Sequence, residues 1–261
     1  ASVMALSLAA CGGSASSAAS GAADTSSAAT AEATGKKWVV ATDTVFKPFE
    51  YTDASGNFVG IDVDIVAAIA EDQGFEYEMK SLGWDAAIAA CQSGQADAMI
   101  AGASITDERK ASGWMFSDGY YDSNQTLTVP EDSDIATADD LSGKAIGTQR
   151  GTTGYIYASD TPENGGYGEE HVVAYESGAV AIQALLNGQV DCVVIDDQPA
   201  QEYVKANPGL TILDTEFAVE DYAIAVAKGN TVMLEKVNQA LSELIADGSV
   251  QKVIDKYITA D

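Results

Sequence analysis

Several polar runs in this chain each follow a short apolar stretch. Asp43, with Phe46 and Phe49 close behind, follows Trp38–Ala41, and Gly102-Ala103-Ser104-Ile105-Thr106-Asp107-Glu108-Arg109 follows Ala98–Ala101. Gln149-Arg150-Gly151-Thr152-Thr153-Gly154 follows Ala145–Thr148, and Asp196-Asp197 follows Cys192–Ile195. Together these residue types complement one kind of ligand head. Arg109 offers a planar fork suited to bidentate carboxylate binding. Ser104 adds a hydroxyl, and N–H groups at the start of the following helix point the same way. The Gly151-Thr152-Thr153-Gly154 turn adds backbone donors at a second helix start, and Asp196 supplies the negative charge an ammonium needs. A carboxylate and an ammonium on adjacent carbons describe an α-amino acid. Taken singly, each feature has a plainer use. Arg109 reads as a surface helix residue, the Gly-Thr-Thr-Gly turn as an ordinary helix start, and Asp196 as the cap of a helix beginning near Gln198. Their joint placement at equivalent ends of a repeated unit is what points to a ligand.

The elements that must position these residues follow from the apolar pattern. Trp38–Ala41, Tyr77–Lys80, Ala98–Ala101, Ala145–Thr148 and Cys192–Ile195 read as strands. Helical spacing runs through Phe58–Ala70 (closed by Gly74), Trp84–Cys91 and onward from Asp107–Ala111. Strands alternating with helices imply parallel sheets with right-handed crossovers, whose ligands sit beyond the carboxyl ends of the strands. An internal echo strengthens the reading. Residues 88–101 (IAACQSGQADAMIA) and 182–195 (IQALLNGQVDCVVI) share Ile-x-Ala, then Gly-Gln-x-Asp, then an apolar strand. One unit of helix, glycine cap (Gly94, Gly188), turn and buried strand is used twice, which predicts two similar α/β lobes. Gln125–Val129 and Tyr222–Val226 are extended runs that would cross between them. Lobe 1 is therefore expected over residues 36–124 and 222–261, and lobe 2 over 125–221. Two helices, Met233–Asp247 and Val250–Tyr257, would return to lobe 1. Two crossing linkers make a hinge about a cleft.

Composition narrows the function classes. Among 261 residues, 40 acidic side chains face 13 Lys and Arg, a formal charge of −27, and 46% of residues are apolar. So negative a field repels nucleic acid. One histidine, His171, and no metal-ligand spacing leave no metal site expected, and no cofactor motif is present. At the other end of the argument, Met4–Ala10 (MALSLAA) is too short to span a bilayer and reads as the tail of a secretory signal over residues 1–10. Leu8-Ala9-Ala10-Cys11 resembles a bacterial lipobox, which makes Cys11 the expected lipidation site and the membrane a partner. Residues 11–35 are almost all Gly, Ala, Ser and Thr and are expected to form a flexible tether. The expected location is extracytoplasmic, anchored to the bacterial membrane.

Beyond these features, the chain closely resembles the polar amino-acid-binding proteins of bacterial ABC importers, of the periplasmic-binding-protein type II family (solute-binding protein family 3). The matching strings are ATDTVFKPFEY (41–51), GIDVDIVAAIA (60–70), AGASITDERK (101–110), FSDGYY (116–121), GTQRGTTG (147–154), VDCVVIDDQPA (190–200) and DYAIAVAKGN (221–230), within Lys36 to Tyr257. The resemblance implies a Venus-flytrap fold of two Rossmann-like lobes on a two-strand hinge. It implies that Arg109 pairs with the ligand α-carboxylate. Gly102, Ser104 and Thr153 would help hold carboxylate and ammonium, Asp196 would pair with the ammonium, and Ala101 would also touch the ligand. Phe46 and Trp84 would sandwich the ligand side chain, with Asp43 and Gln149 lining its pocket. The implied partners are an L-amino acid and an ABC permease. Some relatives carry a disulfide within lobe one, whereas Cys91 and Cys192 fall in different lobes here and read as small buried hydrophobes. Asp196-Asp197 leaves open which carboxylate faces the cleft, and Gln149 does not settle the ligand. Glutamine, arginine, lysine and histidine are the leading candidates, with acidic amino acids disfavoured by Asp43. The competing class is an enzyme on the same fold, such as a prephenate or arogenate dehydratase, with Glu50 and Asp197 as its acid–base candidates. An extracytoplasmic sensor input would be expected to carry a membrane-signalling segment as well.

Overall fold

The computed structural model describes residues 37–214 and 218–258, so the signal, lipobox and tether expected over 1–35 lie outside the described residues. The chain opens with strand β1 (Trp38–Thr42), a small hairpin of β2 (Tyr51–Thr52) and β3 (Phe58–Val59), and helix α1 (Ile61–Gln73). It continues through β4 (Tyr77–Ser81), α2 (Trp84–Gln92), β5 (Ala98–Met99) and α3 (Asp107–Ala111) to the long strand β6 (Met115–Pro130). Then come β7 (Ile146–Gln149), α4 (Thr153–Ser159), β8 (Val172–Tyr175), α5 (Gly178–Leu186), β9 (Cys192–Asp196), α6 (Asp197–Ala206) and β10 (Leu210–Ile212). Strand β11 (Ala218–Val226) precedes the closing helices α7 (Thr231–Ala246) and α8 (Ser249–Tyr257).

Among the described residues, nine strands form one sheet ordered β4-β1-β5-β11-β6-β9-β7-β8, with β10 on β6. The outer strands pair in parallel on each side, β1 with β4 and β5, and β7 with β8 and β9. Between them β6 and β11 run antiparallel, with register shifts at Tyr222/Ala223 and Ala223/Ala225 that bend the ladder. Apolar packing divides the same way. One core gathers Trp38, Ile65, Ile69 and Ile100 with Val237 and Leu241 of α7, and a second packs Ala87 and Cys91 of α2 on Met99. On the far side, Ile182, Leu185 and Val193 form a third core and Leu127, Leu141 and Ile146 a fourth. Cys91 and Cys192 are free thiols buried in these cores, with burial pushing their pKa values up to about 11 and about 12, as expected of small hydrophobes.

The sequence echo has a structural cause. Asp97 Oδ2 accepts from the Val39 N–H at 2.9 Å, and the Asp97 N–H donates to the Val39 carbonyl at 2.7 Å. Asp191, 94 positions later, does the same with Ala145 at 2.7 and 2.7 Å. The aspartate of each Gly-Gln-x-Asp turn thus clamps the first residues of the neighbouring parallel strand. Gly94 and Gly188 are left-handed, φ +74° and +67°, one residue beyond the caps Ser93 and Asn187.

Several expected elements differ in extent; β11, for one, starts at Ala218 and not at Tyr222. The helix expected from Phe58 begins at Ile61, because Phe58 and Val59 pair with β2 and Gly60 turns at φ +143°. The strand expected to reach Ala101 stops at Met99, because Gly102 turns at φ +53° and gives its N–H to the Asp62 carboxylate at 3.0 Å. Strand β6 spans 16 residues, far beyond Gln125–Val129; its first half, FSDGYYDSN, carries turn-forming residues yet pairs with β11.

Candidate functional site

All ten side chains and backbone positions expected at the site meet in one cavity. Its walls are Asp43, Phe46, Trp84, Ala101, Gly102, Ser104, Arg109, Gln149, Thr153 and Asp196, joined by Thr152. The groups stand just beyond strand ends or at helix starts: Asp43 follows β1, Trp84 opens α2, the turn after β5 places Gly102 and Ser104, and Thr153 opens α4. A Cβ at Gly102 would lie 2.7 Å from Phe46 Cε1 and 3.1 Å from Tyr222 Cε2, so only glycine lets these rings close over the floor.

Arg109 sits in α3, where Thr106 caps the helix by accepting from the Arg109 N–H at 3.1 Å. Its guanidinium lies over two indoles, 5.5 Å from the Trp84 ring and 5.4 Å from the Trp114 ring. Nη1 donates to the Ser104 carbonyl at 2.7 Å and Nη2 to the Gly151 carbonyl at 3.3 Å. These bonds aim the fork while occupying two of its five donors. Burial lowers the Arg109 pKa, opposed by the negative charges of Glu220 and Asp196, and the group stays cationic.

Asp196 closes β9, and its carboxylate does not cap α6. It accepts instead from the Tyr222 hydroxyl and from Ser123 Oγ at 3.5 Å. Burial first, then the Glu220 charge, raise its pKa to about 7. Asp197 bonds the Gln198 N–H at 2.7 Å and is not among the cavity walls, so Asp196 is the carboxylate that faces it. Elsewhere in the wall, Asp43 accepts from the Thr44 N–H at 2.6 Å and from Gln149 Nε2 at 3.2 Å. Burial raises the Asp43 pKa. Gln149 Nε2 also reaches the Glu176 carbonyl at 3.5 Å.

Several side-chain contacts join the two sides of the sheet. Gln149 to Asp43 and Arg109 to Gly151 are two; Arg150 to Asp85 at 3.1 Å and Lys47 to Glu202 are others. Beneath the floor, Asp62 holds the Gly102 N–H and accepts from the Tyr120 hydroxyl at 2.7 Å, beside fully buried Glu50. Glu50 is not a cavity wall.

Several residues around the cavity escaped the sequence reading. Ser123 and Gln125 of β6 face Glu220 and Tyr222 of β11, all four buried. Their spacing of two puts each pair on one sheet face, the available signal.

A family profile matches residues 38–260, nearly the whole folded body, and describes bacterial extracellular solute-binding proteins, family 3. The chain belongs to this family. A probable histidine-binding protein of Neisseria gonorrhoeae is 34% identical, over 98% of this chain and 92% of the relative. The solved structure of an arginine-, lysine-, histidine-binding protein, ArtJ of Geobacillus stearothermophilus, has a TM-score of 0.80 at 39% identity, covering 87% of this chain and 96% of that one. A second, an ancestral arginine-binding protein bound to glutamine, gives 0.78 at 38% identity, covering 86% and 98%. The resemblance drawn from the AGxSITDER and FSDGYY strings holds, and the family-3 solute-binding body has the type II periplasmic-binding-protein fold.

Proposed function

We propose that this chain captures a basic L-amino acid, arginine, lysine or histidine, outside the cytoplasm and delivers it to the permease of an ABC importer. Arg109 takes the α-carboxylate with Thr153, and the turn at Gly102 and Ser104 helps hold the α-ammonium. Asp196 takes the α-ammonium, and Phe46 and Trp84 flank the side chain beside Ala101. The lobes, 36–124 with 222–261 and 125–221, close on the ligand about β6 and β11. Ligand favours closure only through contacts that both lobes make at once, which Arg109 and Asp196 supply from opposite sides. Cys11 carries the lipid that holds the protein at the membrane, and mass spectrometry of the mature chain is expected to find it acylated.

The observation that carries the ligand class is the pairing of Asp43 with Gln149 in the cavity wall. Gln149 spends its amide hydrogens on Asp43 and the Glu176 carbonyl. The reversed amide would set oxygen against the Asp43 carboxylate, so Gln149 keeps its oxygen as an acceptor. A carboxylate and a carbonyl together suit a side chain made only of donors, which a guanidinium, an ammonium or an imidazolium is. A glutamine amide brings an acceptor of its own and is the second reading, favoured by the glutamine-bound structural relative. An enzymatic role on this fold has little support, since neither Glu50 nor Asp197 walls the cavity. Calorimetric titration of the full chain with the twenty amino acids tests the proposal. Arginine, lysine or histidine is expected to bind at micromolar affinity or better, about −8 kcal/mol. A response confined to glutamate or aspartate, or to no amino acid, overturns it.

A further inference from the structure

We propose that Glu220, a buried carboxylate on β11 outside the cavity wall, is a positioning residue that sets which way the hydroxyls at the amino-acid head present themselves. The inference rests on the amino-acid reading above and deepens it. Ser104 Oγ donates to Glu220 Oε2 at 2.6 Å, a short bond to an acceptor only 5% exposed. A serine hydroxyl has a single hydrogen. With that hydrogen committed to Glu220, Ser104 Oγ can meet a ligand only as an acceptor, the polarity an α-ammonium requires and a carboxylate refuses. Glu220 therefore assigns Ser104 Oγ to the ammonium and leaves the carboxylate to Arg109.

The same carboxylate orients a second hydroxyl. Gln125 Nε2 donates to Glu220 Oε2 at 3.2 Å and to Thr153 Oγ1 at 3.3 Å. An amide that turned its oxygen this way would face the Glu220 carboxylate with like polarity, so the nitrogen faces it. Thr153 Oγ1, accepting from that nitrogen, keeps its own hydrogen to give to the carboxylate. One buried acid thus makes Ser104 an acceptor and Thr153 a donor, matching the two ends of a zwitterion. Glu220 also adds a second negative charge behind Asp196 and helps hold Arg109 cationic.

Two substitutions of Glu220, alone and with Ser104→Ala, test this by titration with L-arginine, or with lysine or histidine if the unaltered chain prefers it. Glu220→Gln keeps shape and an acceptor but removes the charge, and is expected to weaken binding about tenfold. Glu220→Leu removes both and is expected to weaken it at least a hundredfold. In a Ser104→Ala background, Glu220→Leu is expected to cost less than tenfold further, because the hydroxyl it oriented is gone. Thermal unfolding of the ligand-free proteins separates loss of fold from loss of polarity. A folded Glu220→Gln protein that binds within twofold of the unaltered chain overturns the proposal. So does a Glu220→Leu loss that is as large in the Ser104→Ala background as when Ser104 is intact. Should the unaltered chain bind no amino acid at all, the failure lies with the amino-acid reading itself.

Discussion

At the scale of single residues, the guanidinium of Arg109 is held by more than charge. Two indoles lie against it and two carbonyls accept its hydrogens. A lysine could keep the charge but neither the fork nor the stacking. Arg109→Lys is therefore expected to weaken amino-acid binding at least a hundredfold, and Arg109→Ala to cost about 3–5 kcal/mol of binding. Titration calorimetry reads both, and an affinity unchanged in Arg109→Ala would remove the carboxylate assignment. The residues at strand ends were legible in the sequence, because a polar run after an apolar one has a known destination in a parallel sheet. Glu220, Gln125 and Ser123 were not. They sit in mid-strand among Asp, Asn and Tyr, where alternation reads as a face turned to water. Only the pairing of β6 with β9 and β11 shows that this face looks inward.

The repeated turn matters most at the scale of elements. Asp97 and Asp191 each tie the turn before one strand to the start of its parallel neighbour, a connection between segments 58 and 46 residues apart in sequence. Asp97→Ala would leave the Val39 N–H without its carboxylate and is expected to cost about 1–3 kcal/mol. Asp191→Ala, in a more exposed setting, is expected to cost less. The two changes lie in different cores, so denaturant unfolding of the double variant should give their sum to within about 0.5 kcal/mol; a larger departure would mean the two clamps are coupled. The helix–strand alternation and the echo at offset 94 were readable because apolar period and turn chemistry agree. The full length of β6 was not, since its pairing depends on a distant strand and overrides the local preference of Ser117, Asp118 and Gly119 for a turn.

Over the whole molecule, buried carboxyls set the response to pH. Burial raises Glu50 well above its ordinary range, Asp62 to about 6 and Asp196 to about 7. A carboxyl pKa raised by folding means that the native chain binds more protons than the unfolded one, so stability falls as pH climbs. For Asp62 and Asp196 the loss runs from their ordinary value of 3.8 up through about 6 and about 7. Self-repulsion at a formal charge of −27 acts in the same direction. The ligand-free protein is therefore expected to melt at a higher temperature at pH 5 than at pH 8, and Glu50→Gln should narrow the gap. Scanning calorimetry at the two pH values measures it, and a melting temperature that rises with pH would contradict the buried, proton-holding state of these groups.

Two of the chain's three tryptophans flank Arg109, while Trp38 is buried in a separate core. Parting the lobes would draw the Gly151 carbonyl off Nη2 and let solvent reach the indole of Trp84. The protein thereby carries its own optical gauge. Ultraviolet emission from unlabelled protein should shift to shorter wavelength as the cargo is enclosed, with Trp38 as a steady background, so rapid mixing could time the closing stroke without any attached dye. A Trp84→Phe variant that still binds but gives most of the original spectral change would place the gauge elsewhere.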